Sequence, residues 1–490
     1  MSVDRSALQI RHRTIWGGGV LALATAIACL SAHRFAGSWN DGSRLATVES
    51  LVDYHMWAID DSIFVQVPAE RSPYPANDPG LQQHGTGDKL LIDGHFYSDK
   101  SPVPALLLAG CYQILQTLTG LTARADPAGF CYWMTLVNSG LAYVLAVWCV
   151  FQMAGTLGLV LSVRLALTAS FGLSTVALTY VRHVNNHILL LGITAALLLG
   201  LVRLSQGCRG GGSLWQLLGL GTLAGLGYTV DLGAGPVILL CTLGFVAFRC
   251  PRRIAVFLLG ALPWLVLHHA VNYSIGGSWK PANAVPEYFQ WPGSSFSSQN
   301  LTGSWNHPGV GHFLIYAAAL LVGKRGFLGH NLPLFLALPA LVVLLYRSRP
   351  GSCSATRLAT INRAEVLFAG CCCGGIWLLY ALTSNNYSGL CCSIRWFVPM
   401  LAPAYLALAL HLREEPRFAW VFLVLSGWGA VLAAIMWSVG PWTRHMVPFF
   451  WPVQGAAFLS LVGIWIWRRR STQVIAVGGI DQLLDQGRAA

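Results

Sequence analysis

Charge is what this sequence has least of. Only 10% of its 490 residues are Asp, Glu, Lys or Arg, against 55% hydrophobic ones. A soluble domain carries about 25% charged residues to cover its surface, so a water-soluble globule is excluded and a polytopic membrane protein remains. Lysine is confined to Lys89, Lys100, Lys280 and Lys324. No large soluble domain, low-complexity linker or internal repeat separates the apolar runs. The 13 cysteines lack zinc spacing. Cys371, Cys372 and Cys373 are consecutive, and most of the others lie in apolar runs, where cysteine serves as a small lipid-compatible residue. The formal charge of +12 comes from arginines scattered between those runs, a pattern of membrane anchoring and not of nucleic-acid binding.

What is there is hydrocarbon-length helix. Apolar runs able to cross about 30 Å lie near 15–34, 130–152, 160–179, 188–202, 214–230, 233–248, 254–270, 332–346, 366–382, 397–411, 418–437 and 451–467. The sequence thus predicts an all-α polytopic fold of about 12 spans, with 1–14 and the tail 471–490 inside and a membrane domain over 15–470. The first run follows Arg11 and Arg13 and reads as a retained span, not a signal peptide. A further run, 103–121, decides the topology. If it does not cross, Arg203 and Arg209, Arg249 to Arg253, Arg347 to Arg357, Arg413 and Arg417, and Arg468 to Arg470 all fall on the inside. The expectation is an interfacial or re-entrant helix there. A second interfacial helix is expected near 43–56, where Leu45, Val48, Leu51 and Val52 share a face.

The external loops are then 35–129, 180–187, 268–331 and 383–396. The first holds eleven of the 19 acids, and all four lysines are external. Polar work is therefore expected outside the membrane. Asp41 follows the first span; helix cap and functional carboxylate are equal readings of it. Asp93-Gly94 is a hairpin turn signal, and Asp99-Lys100 follows it, an interface anchor unless Lys100 is set towards a ligand by Pro102. "YVRHVNNH" collects Arg182, His183, Asn185, Asn186 and His187. Asp231 favours a cap. Lys280 and Glu287 lie in an aromatic-rich loop, and Arg395 stands at the mouth of a span, where it anchors or holds a phosphate. Tripeptides at Asn272, Asn300 and Asn386 fit N-glycosylation.

Taken together these residues resemble the C-type glycosyltransferase superfamily, in the branch of protein O-mannosyltransferases and aminoarabinose transferases. The likeness rests on Asp41 and Arg44 after the first span, on Tyr97-Ser98-Asp99-Lys100-Ser101-Pro102 opening an interfacial helix, and on the polar second loop 180–187. It covers mainly residues 1–210. The chain departs from the pattern at Gly42, where a second acid is usual, at Ser101, where proline is usual, and at Asn185, Asn186 and His187, where a carboxylate is often supplied. The case for a carboxylate-held divalent metal is correspondingly weak, and no other cofactor is implied.

The resemblance implies transfer of a sugar from a polyprenyl-phosphate-linked donor, with inversion, on the outer face of a membrane such as the bacterial inner membrane. It implies Asp41 as base, Lys100, Arg395, Arg182 and His187 towards the donor phosphate, and Asp99, Arg44, Asn186, Lys280 and Glu287 in support. The acceptor class (protein, glycolipid or polysaccharide) is left open. A lipid-linked sugar flippase or other transporter is the rival, disfavoured because acids are nearly absent from the spans; a non-catalytic scaffold is the third reading.

Overall fold

Hydrocarbon offers no partner to a backbone N–H or C=O, so each long apolar run closes its own hydrogen bonds as a helix. The computed structural model describes residues 3–207, 213–297, 301–347, 363–443 and 445–488. Arg209, Arg349, Arg357 and the Asn300 tripeptide lie outside the described residues. From α1 (Val3–Ser31) the chain enters a long loop carrying α2 (Trp39–Asp53), α3 (Pro79–His84), a hairpin of β1 (Lys89–Ile92) and β2 (His95–Ser98), and α4 (Pro102–Thr119). Then come α5 (Pro127–Thr135) and α6 (Leu141–Thr156), joined through a π-helical turn at Leu136–Gly140. They are followed by α7 (Leu161–Leu173), α8 (Ala177–Tyr180), α9 (Asn186–Gly207), α10 (Leu214–Val230), α11 (Ala234–Arg249) and α12 (Ile254–Gly276). A second long loop holds α13 (Val310–Leu321) and α14 (Phe327–His330). The chain ends with α15 (Leu334–Arg347), α16 (Arg363–Thr383), α17 (Leu401–Glu414), α18 (Ala419–Val439) and α19 (Phe450–Arg488).

Most apolar runs read from the sequence fall on one of these helices, but 130–152 is divided between α5 and α6, 160–179 is broken between α7 and α8, and 397–411 begins in a 3₁₀ turn before α17. Among the described residues, seven helical stretches are long and apolar enough to cross a membrane, and several shorter ones are as apolar. The protein is a polytopic integral membrane protein. Helix α4 is not one of the seven. It buries Ala105, Leu108, Ala109 and Tyr112 in one core with Leu45, Val48 and Val52 of α2, and it leaves Leu107, Ile114 and Leu118 exposed on another face. The sequence reading missed α13. Its Tyr316 and Trp377 of α16 bond across to Asn386 O and Ala317 O, while Val310, Leu314 and Ile315 stay exposed.

Two local devices shape the bundle. Helices α10 and α12 approach backbone to backbone: a Cβ at Gly221, Gly225 or Gly260 would collide with the carbonyl of Phe257, Ala261 or Leu218 respectively. Small residues at such spacing let membrane helices pack closely. The π-helical turn adds a residue to the helix and turns Asn138 and Ser139 onto the segment before α9. Ser139 Oγ donates to His183 O at 2.6 Å and accepts from Asn185 N at 3.1 Å, and Asn138 Nδ2 donates to Asn185 O at 3.2 Å. That segment is thereby pinned from below.

Candidate active site

The hairpin builds the first part of the site. Asp93 and Gly94 both take positive φ, 50° and 87°, as a two-residue turn between right-twisted strands requires. The resulting register pairs Lys89 with Ser98, so Asp88 and Asp99 come next on either side. Lys100 Nζ lies 2.6 Å from Asp88 Oδ2 and 2.7 Å from Asp99 Oδ2. Ser43 of α2 closes the group, donating to Asp88 O at 2.5 Å and meeting Ser98 Oγ at 2.6 Å. Burial raises the Asp99 carboxyl above its usual range, against the pull of Lys100 and with Asp88 adding to the rise.

Arg44 links this group to the bundle. Its Nη1 donates to Asn40 O at 2.7 Å and Asn40 Oδ1 at 2.5 Å, and its Nη2 to Asn186 Oδ1 at 2.8 Å. Burial lowers its guanidinium to about 10, with Asp99, Asp88 and Asp41 opposing that fall and Arg395 adding to it. Asn186 passes the chain on to Val230 O at 3.2 Å. There Asp231 accepts from Gly233 N, Ala234 N and Tyr380 Oη at 2.8, 2.9 and 2.8 Å, and His187 Nδ1 lies 3.2 Å from its other oxygen. Asp231 thus caps α11 and also pairs with a histidine. Burial alone would raise its carboxyl; the bonds from His187, Ala234 N and Tyr380 outweigh burial and hold it below the usual carboxylate range.

Asp41 forms a matching pair. It is 1% exposed, and its Oδ2 accepts from Gly37 N at 2.6 Å and lies 3.2 Å from His183 Nδ1. Its Oδ1 accepts from Ser38 Oγ at 2.6 Å, so the carboxylate reaches back over the start of α2 as a helix cap does. The segment 180–187 therefore gives each of two histidines to a carboxylate from a different part of the chain. Gly42 has a steric reason: a Cβ there would run into the Tyr74 hydroxyl, which donates to Phe64 O at 2.8 Å. A second acid beside Asp41 does not fit.

Beside these pairs stand cations without carboxylates. Arg182 donates from Nε to His33 Nε2 at 2.7 Å and lies over the Trp437 ring at 5.2 Å. Arg395 lies over the Trp442 ring at 5.6 Å, and Trp442 also neighbours the His183 ring. Three buried donors here, Arg182 Nη1, Arg395 Nε and Trp442 Nε1, have no acceptor among the described residues. Buried N–H groups in native structures are almost always paired, so this group suits an anion. Neither Asp88, which completes the lysine node, nor His183 and Trp442 was assigned a role by sequence reasoning. Lys280 and Glu287 are exposed, in a loop whose Ala282 and Phe289 pack on Leu90 and Ile92 of the hairpin. Asn272 is buried, its amide bonded to His268 O and Ala282 N at 2.8 Å each. Among the described residues no three Asp, Glu, His or Cys side chains converge as metal ligands, and the carboxylates of Asp88 and Asp99 are bridged by an ammonium group. This donor set does not fit a divalent ion.

One turn-pair along α2, Glu49 is fully buried, accepting from Ser62 Oγ at 2.5 Å and Ile63 N at 3.0 Å through one oxygen while the other has no partner. Burial pushes its carboxyl up to about 7 from 4.5, against those two bonds. A carboxyl raised on folding favours the fold while protonated and loses that advantage as pH climbs through the raised value. Thermal melts of the protein and of Glu49→Gln across pH 4.5 to 8 therefore diverge: the variant gains on wild type by about 3 kcal/mol over that range. Parallel pH curves would show that Glu49 titrates normally.

The fold alone defines a class: a polytopic integral membrane protein of C-type glycosyltransferase-like architecture. The likeness that carries this is to apo ArnT from Cupriavidus metallidurans, with a TM-score of 0.50 at 14% identity over 87% of this chain and 64% of that one. ArnT bound to undecaprenyl phosphate gives 0.49 at 14% identity over 87% and 71%. The Archaeoglobus fulgidus oligosaccharyltransferase AglB, with an inhibitory peptide and a dolichol-phosphate, gives 0.44 at 13% identity over 92% and 54%. This chain thus spans roughly two thirds of ArnT and about half of AglB. No family model and no curated protein matches it.

Proposed function

We propose that the protein transfers a sugar from a polyprenyl-phosphate-linked donor to an acceptor hydroxyl, with inversion, on the outer face of the bacterial inner membrane. The observation that carries this reading is the meeting of buried, acceptor-free donors from Arg182, Arg395 and Trp442 with the Asp41–His183 pair. The arginine-rich loops opposite support the orientation.

In this reading a carboxylate, Asp41, takes the acceptor proton as the acceptor oxygen bonds to the anomeric carbon. The bond from that carbon to the phosphate oxygen breaks with its electron pair, and the lipid phosphate leaves with added negative charge. Arg395 and Arg182 receive that charge, with Trp442 donating and His187 and Lys100 behind them. Donors aimed at developing charge in a site shielded from water are worth most. Asp99, Arg44 and Asn186 hold Lys100 and the 180–187 segment in place. The start of α2 and the start of α4 both face this region, so their dipoles add to the positive field. A single displacement inverts the anomeric centre.

Purified protein in nanodiscs, supplied with polyprenyl-phosphate sugars, tests the reading by mass spectrometry. Release of polyprenyl phosphate together with a glycosylated acceptor supports it. Donor moved between leaflets of a vesicle without cleavage would replace it with the flippase.

A further inference from the structure

The far ends of α2 and α4 hold a cavity that none of the chemistry above uses. The two helices run parallel, since Arg44 and Pro104 line one small gap near their starts, while Asp53 and Gln116 are bonded near their ends. The cavity measures about 710 Å³ and is lined by Asp53, Tyr54, His55, Asp61, Gln113, Gln116 and Arg124, with Val52 and Thr122 beside them. Along α2 it lies twelve residues from Asp41, about 18 Å at the helical rise.

Its construction is specific. Asp53 is fixed by Tyr112, whose hydroxyl donates at 3.1 and 3.0 Å to the two oxygens, and by Gln116 Nε2 at 2.7 Å. Tyr112 is itself fixed, accepting from Ala123 N at 2.8 Å. His55 sits at φ 56°, a left-handed conformation that side-chain-bearing residues seldom adopt and that gathers at ligand sites. The volume falls in the usual range for ligand sites, roughly 300–1,000 Å³, but such sites are mostly apolar. This one has a single aliphatic side chain. It offers carboxylate acceptors, amides that both donate and accept, a guanidinium fork and two rings. One arginine against two aspartates does not suit an anionic head group.

We propose that this cavity binds a saccharide chain: hydroxyls that donate and accept by turns match the lining, which also carries the rings of Tyr54 and His55. Resting on the glycosyltransferase reading, the cavity is the distal subsite of the acceptor, which makes the acceptor a glycan or glycolipid with an extended sugar portion. Its distance from Asp41 is the span that the acceptor bridges.

The test is direct binding to the full chain in nanodiscs, without donor lipid, so that it stands or falls apart from catalysis. Chitotetraose, maltotetraose and mannotetraose are titrated and followed by saturation-transfer NMR. Expected is binding of at least one of them, weakened about tenfold or more in a Gln113→Ala/Arg124→Ala variant, as loss of an amide and a charged hydrogen bond implies. Both substitutions lie at exposed positions, and an unchanged melting temperature checks the fold. Binding by none of the three, or binding equal in the variant, overturns the site even if the protein transfers sugars. Binding in a protein that transfers nothing upholds the site and fails only the catalytic reading.

Discussion

Arg395→Ala lowers the rate of sugar transfer by about 10²-fold or more while the protein remains folded and inserted. Among the described residues no carboxylate pairs with the guanidinium; its Nε is buried without an acceptor, and it lies over the Trp442 ring. Removing it breaks no ion pair among those residues, so the loss falls on the leaving phosphate. Lys100→Ala behaves differently. Lys100 separates two carboxylates, Asp88 and Asp99, at 2.6 and 2.7 Å, and breaking a buried pair by removing one partner costs about 3–5 kcal/mol. That variant loses melting temperature as well as activity. Melting curves beside initial rates check both. Transfer by Arg395→Ala at the wild-type rate would reduce Arg395 to an interface anchor, and a Lys100→Ala protein as stable as wild type would remove the structural role of the lysine node.

The separation of those two roles shows where the sequence speaks and where it does not. Hydrophobic run length announces a helix in a membrane almost unaided, because lipid leaves the backbone no other solution. Helix α13 escaped because it is shorter and sits in a loop whose Gly, Pro and aromatic content reads as irregular. The Asp93-Gly94 turn was legible, and it carried more than was taken from it. A two-residue turn centred there places residue 88 opposite residue 99, so Asp88 was available as the partner of Asp99 and Lys100 by register alone. The pairs Asp41–His183 and Asp231–His187 had no such signal. They join segments far apart in the chain, and the choice between two histidines four residues apart depends on the π-helical turn that pins Ser139 against His183 O. Nothing in the sequence marks Trp442 apart from other tryptophans at a membrane interface; among the described residues its unpaired N–H beside Arg395 sets it apart.

Asp41→Asn reduces transfer by about 10²-fold or more, the expected loss when a general base is removed. The geometry makes Asp41 look occupied, for it accepts from Gly37 N and Ser38 Oγ at 2.6 Å each. An asparagine can keep most of that. Its Oδ1 still accepts from Gly37 N, and its Nδ2 donates to the Ser38 oxygen once the hydroxyl turns away. The loss is about one hydrogen bond, roughly 1 kcal/mol, in line with the near equality of Asn and Asp as caps. What asparagine cannot do is take a proton. Beside it, Asp41→Ala loses both the cap and the base, and Ser38→Ala loses two bonds, to Asp41 Oδ1 and from Asn40 N, with the carboxylate intact. Ordinary transfer by Ser38→Ala, with a collapse in Asp41→Asn at nearly wild-type melting temperature, assigns the proton to Asp41. A folded Asp41→Asn protein working at the wild-type rate makes the residue a cap that orients His183, and moves the base to the next carboxylate along the site, Asp99. Burial already keeps the Asp99 carboxyl more basic than an ordinary aspartate.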